Sequence, residues 1–123
     1  MITIHEITDG NSTGTYLKQF MENYSDMVFY IDPIYGFRKH MMSAYNIHHI
    51  PTSDPEFLIE LCGNLIRTTV DENEQSALRI LIDHFEMIEF VDLSQQDLFI
   101  EKLKYLISLN PNVEVIITSI GKI

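Results

Sequence analysis

The chain has 123 residues, 46% of them apolar, which is enough for one packed core and argues against a disordered chain. Eight Lys and Arg stand against 18 Asp and Glu, a formal charge of −10, so direct nucleic acid binding is not expected. The opening MITIHEITDG lacks a signal peptide's basic start and apolar stretch, no apolar run approaches the ~20 residues of a membrane span, and the lone Cys62 excludes an internal disulfide; a soluble cytoplasmic protein is expected.

Residues Ile2 to Ile7 alternate and meet Asp9-Gly10-Asn11-Ser12-Thr13-Gly14, which reads as a strand and a tight loop. Tyr16, Leu17, Phe20, Met21 and Tyr24 recur at helical spacing, so the loop opens a helix. Met27 to Ile31 is a buried strand ended by Asp32-Pro33. Tyr35 to Tyr45 predicts a short helix and Ile47 to Ile50 a brief strand before the turn Pro51-Thr52-Ser53. Asp54 or Ser53 caps the next helix, with Pro55 in its first turn and Phe57, Leu58, Leu61, Cys62 and Leu65 on one stripe.

The stripe Ala77, Leu78, Leu81, Ile82 and Phe85 predicts a helix from Glu72 to about Phe85, and Met87 to Val91 a strand followed by Asp92. Ser94 heads a helix carrying Leu98, Phe99, Leu103, Leu106 and Ile107, ended by Asn110-Pro111-Asn112. Val113 to Ile117 is rich in β-branched residues and reads as a strand. Strands and helices alternate, and several strands are apolar on both faces. An α/β fold with a helix-covered parallel sheet follows.

A strand, a glycine loop and a helix in that order give an anion site its geometry, because free N–H groups at a helix start face a bound phosphate. Laid over the pattern GxxxxGK[ST], the segment Asp9 to Tyr16 fails at three positions: Asp9 replaces the first glycine, Thr15 the lysine and Tyr16 the magnesium-binding hydroxyl. The site has lost its cation and gained an anion, so phosphate transfer is not expected. The histidines offer no metal site: adjacent His48 and His49 point to opposite faces of a strand, and His5, His40 and His84 lack ligand spacing.

The succession of segments resembles the ATPase core of RecA-type recombinases. Ile4 to Thr15 is similar to that family's first strand and phosphate loop, and Phe29-Tyr30-Ile31-Asp32-Pro33-Ile34-Tyr35 to its second strand and the stretch that follows. Pro51 to Arg67 follows at the expected place. Glu89-Phe90-Val91-Asp92-Leu93-Ser94 resembles the second nucleotide motif, and Val115 to Ile120 the strand that ends at a nucleotide-sensing glutamine. The resemblance implies a three-layer RecA-like core with a short, mostly parallel sheet, residues 1–123 forming a single truncated domain. Another open α/β sheet with the same rhythm is the alternative. By the same resemblance the catalytic glutamate has no counterpart, Ser119 holds the glutamine position, and only Asp92 keeps its type, where it would help hold magnesium. The family's DNA-binding loops have no counterpart either.

The expectation is a non-catalytic accessory protein, without a cofactor, that binds a RecA-type recombinase or a copy of itself and modulates recombination or repair. Tyr35, Phe37, Arg38, Met41 and Met42 combine the side chains favoured at interface centres and are the candidate protein-binding segment. One alternative is a nucleotide-binding but non-hydrolysing sensor using Gly10, Gly14, Thr15 and Asp92. Another is an acidic structural or inhibitory protein of a mobile element.

Overall fold

Short runs of β-branched and aromatic residues favour extended backbone, and where they are apolar on both faces they belong inside a parallel sheet. The computed structural model describes residues 2–7, 28–34, 47–71, 78–110 and 112–120. In chain order it contains β1 (Ile2–Ile7), β2 (Val28–Ile31), β3 (Ile47–Ile50), α1 (Pro55–Asp71), β4 (Leu78–Ile82), a single 3-10 turn (Phe85–Met87), α2 (Leu93–Ser108) and β5 (Val113–Ile120). The five strands form one sheet in the order β1-β5-β4-β2-β3, and every pairing is parallel. The chain is thus α/β, with a small parallel sheet and two helices among the described residues.

The connections β3–α1–β4 and β4–α2–β5 step the same way across the sheet. Right-handed crossovers therefore put both helices on one face, where they pack against each other. Ile31, Ile80, Ile82, Val115 and Ile117 from that face meet Leu58, Cys62 and Ile66 of α1 and Phe99 and Leu103 of α2. Val28, Tyr30, Leu81, Ile116 and Thr118 are buried on the other face.

Asp54 caps α1, its carboxylate accepting from the N–H groups of Glu56 and Phe57, with Pro55 as the first helical residue. Asp92, rather than Ser94, caps α2 by accepting from the Gln95 N–H, while the Gln95 side-chain Oε1 accepts from the Val91 N–H. Cys62 is wholly buried, and burial pushes its thiol up to about 12.

Two expected elements are corrected. Residues 78–82 form a central strand, not part of a helix from Glu72 to Phe85. Leu78, Leu81 and Ile82 fit helical spacing, but the uninterrupted run Leu78-Arg79-Ile80-Leu81-Ile82 also suits a strand buried on both faces, and tertiary pairing decides. The strand expected at Met87 to Val91 is absent: Phe85–Met87 is the 3-10 turn, and Met87 and Val91 stand 52% and 83% exposed. The place beside β5 is filled by β4. Among the described residues no helix is long and apolar enough to cross a membrane.

Candidate functional site at the carboxyl edge of the sheet

Neighbouring β2 and β4 send the chain in opposite directions, β2 outward to β3 and β4 back to β5. In open α/β sheets such a divergence leaves a crevice beyond the carboxyl ends of the strands, where ligands bind. Each strand delivers an aspartate there, Asp32 after β2 and Asp83 after β4, and both are buried. The Asp83 N–H donates to the Ile31 carbonyl, which locks the two exits side by side.

The Asp83 carboxylate is surrounded by donors. The Tyr30 hydroxyl donates to Oδ2 at 2.7 Å. The Thr118 hydroxyl and the His84 N–H both donate to Oδ1. Tyr30, Asp83 and Thr118 belong to β2, the exit of β4 and β5, so one carboxylate ties three strands together. Burial first, and then the charge of Asp83, hold the Tyr30 phenol protonated far above the usual tyrosine range. Tyr30 is therefore a donor and not a base.

His84 leaves β4 with φ 50° and ψ 53°, a left-handed conformation uncommon outside glycine. That turn aims its N–H at both Asp83 and the Thr118 hydroxyl oxygen. It also brings Glu86 under the end of β5, where its carboxylate accepts from the Ile120 N–H at 3.0 Å. On the other side, His49 Nε2 lies 2.9 Å from Asp32 Oδ2 and the imidazole packs against the Tyr30 ring. His48 turns to the opposite face and meets Phe29 edge-on, as alternation along β3 requires.

The edge is thus acidic, and both carboxylates are engaged by the protein itself. Among the described residues no three His, Cys, Asp or Glu side chains converge to hold a metal. Cys62 lies in the helix-side core, remote from this chemistry.

Two apolar strands are followed at once by an aspartate, β2 by Asp32 and β4 by Asp83, and no strand ends at Asp92. Asp92 is exposed and serves as the α2 cap. Ser119 is buried near the end of β5. Gly10, Gly14, Thr15 and Tyr16 lie outside the described residues, as do Tyr35, Phe37, Arg38, Met41 and Met42. Sequence reasoning passed over Tyr30, Asp83 and Thr118 as a group, although Val28–Ile31 and Leu78–Ile82 each carry the signal of an apolar run followed at once by aspartate. No protein-family model matches the chain, and no curated protein matches it.

Proposed function

We propose that the chain is a non-catalytic, RecA-like accessory protein that acts by binding a protein partner, a RecA-type recombinase, and modulates DNA recombination or repair. The observation that carries the loss of catalysis is the state of Asp83. In a phosphate-loop enzyme the aspartate ending the second-motif strand helps hold magnesium. Asp83 fits that description in this chain, taking the part first expected of Asp92. The residue is only 3% exposed, and its carboxylate accepts from Tyr30, Thr118 and the His84 N–H. A carboxylate has about four lone-pair sites, so little is left for a cation.

The loop after β1 agrees, because Thr15 and Tyr16 replace the lysine and the metal-binding hydroxyl. Two buried aspartates at the edge oppose a triphosphate further. Partner binding is supported by the large apolar residues left exposed: Val91 and Leu93 are 83% and 74% exposed.

Two measurements test the reading. Titration calorimetry with ATP and magnesium, followed by a phosphate-release assay, is expected to give neither binding nor turnover. Affinity capture with a purified bacterial RecA-type recombinase is expected to give a complex. ATP hydrolysis lost on Asp83→Asn overturns the first half, and failure to capture the recombinase overturns the second.

A further inference from the structure

Helices α1 and α2 leave a groove open to solvent between them. Its first half, about 220 Å³, is bordered by Pro55, Glu56 and Ile59 of α1 and by Leu98 and Lys102 of α2, with Phe90 at its end. Its second half, about 290 Å³, is bordered by Ile59, Glu60 and Arg67 and by Lys102, Tyr105 and Leu106. Ile59 and Lys102 belong to both, so the groove is continuous. From Pro55 to Arg67 it spans about 18 Å of helix. At Gly63 a Cβ would stand 2.9 Å from the Arg67 guanidinium and 3.6 Å from Leu106 Cδ1, so the guanidinium lies back over the bare glycine.

Helix α2 carries more apolar surface than its core contact needs. Phe99, Leu103, Leu106 and Ile107 are buried. On a second stripe Leu98, Tyr105 and Leu109 stand 54%, 66% and 46% exposed. A surface helix with one core needs one apolar stripe, and a second marks a contact surface. The charges on the groove are of both signs, with Glu56 and Glu60 from α1 and Lys102 from α2, and Arg67 at the far end. Among the described residues none of these four makes an ion pair.

We propose that this groove is a self-association surface, covered by the same two helices of a second copy about a two-fold axis running parallel to them. Such an axis lays α1 of each copy over α2 of the other, and every contact occurs twice. Glu60 then meets Lys102 of the second copy, and the Arg67 guanidinium meets the face of the second copy's Tyr105. A partner of one charge sign leaves either Glu60 or Lys102 facing its own kind. The same surface turned over satisfies both, and that decides the occupant. The inference goes beyond the function proposed above and needs neither a recombinase nor RecA ancestry.

Sedimentation equilibrium of the full chain is expected to give a dimer with a dissociation constant in the micromolar range. Lys102→Glu and Glu60→Lys each place like charges together and are expected to weaken it by about tenfold or more. The combined Glu60→Lys, Lys102→Glu chain is expected to recover most of that loss, because the two signs are merely exchanged. Both positions are exposed on helices, and circular dichroism checks that each variant keeps the fold; if one does not, the other decides. A chain that stays monomeric throughout overturns the proposal. So does a dimer indifferent to both single changes, or a combined variant no tighter than the singles. Dimerisation without recombinase capture leaves this surface standing and removes only the function proposed above.

Discussion

Replacing Tyr30 with Phe removes one hydroxyl and leaves the ring in place. The ring belongs to a side chain 2% exposed, so the packing is retained and the lost contact is the 2.7 Å hydrogen bond to Asp83. Hydrogen bonds to charged groups contribute about 1.5–3 kcal/mol. Asp83 keeps the Thr118 hydroxyl and the His84 N–H, so the loss falls in the lower half of that range, about 2 kcal/mol. For 123 residues this lowers Tm by about 8 °C. Urea unfolding followed by far-ultraviolet circular dichroism measures it, with Tyr105→Phe, a 66% exposed tyrosine, as the control.

The same substitution has an alkaline signature. The folded state holds Tyr30 protonated well above the ordinary value near 10, while the unfolded chain ionises at that value. The stability from this residue is fully present below about pH 10 and falls as pH rises beyond it, by about 1.4 kcal/mol per unit. Tyr30→Phe is expected to flatten the alkaline fall by that amount. A variant within about 0.5 kcal/mol of the Tyr105→Phe control, with an unchanged alkaline slope, refutes the hydrogen-bonded arrangement at Asp83.

Thr118→Val, nearly isosteric, is expected to destabilise by about 1.5–2 kcal/mol and to couple with Tyr30→Phe in a double-mutant cycle, because both act on one carboxylate. Asp92→Ala removes the α2 cap and costs about 1 kcal/mol in urea unfolding, with no effect on nucleotide titration. Gly63→Ala gains helix propensity and displaces only the mobile end of Arg67, so stability is expected to rise by about 0.5 kcal/mol. Cys62 is expected to resist a thiol reagent in the folded chain and to react promptly in urea, since the thiol is buried and its pKa is pushed up to about 12.

The elements legible in the sequence were those with one interpretation. Ile47–Ile50 is bounded by its turn, and Asp54-Pro55 announces α1 with a cap and a fixed first residue. The β-branched run from Val113 marks β5, although the strand continues to Ile120. The segment 77–91 went wrong because ten apolar residues in fifteen satisfy two periods at once. With β4 mistaken for helix, its aspartate was hidden, and Asp92 was read as a strand end although it caps α2. The group around Asp83 was illegible for a further reason: Tyr30, Asp83 and Thr118 are separated by 53 and 35 residues and meet only through the strand order.

That strand order raises a question of register, which Asp83 helps to answer. A sheet with one wet face fixes its register by hydrophobic alternation, since a slip of one residue exposes the apolar set. Central β2, β4 and β5 are buried on both faces, so exchanging Ile80 for Leu81 or Val115 for Ile116 changes almost nothing in burial. The apolar runs therefore specify a strand without specifying its alignment. The Arg79–Glu114 pair, 3.8 Å apart across β4 and β5, supplies part of what is missing, and the polar residues at the carboxyl edge supply the rest. A slip of two residues keeps the faces but moves Asp83 about 6.6 Å from the Tyr30 and Thr118 hydroxyls. A slip of one turns its carboxylate toward the helix-side core, where an unpaired charge is several kcal/mol worse. On this argument Asp83 holds the strands in alignment. Asp83→Asn, with its donors facing an amide, is then expected to broaden the backbone amide resonances of β2 and β4, and sharp native-like spectra at full stability count against it.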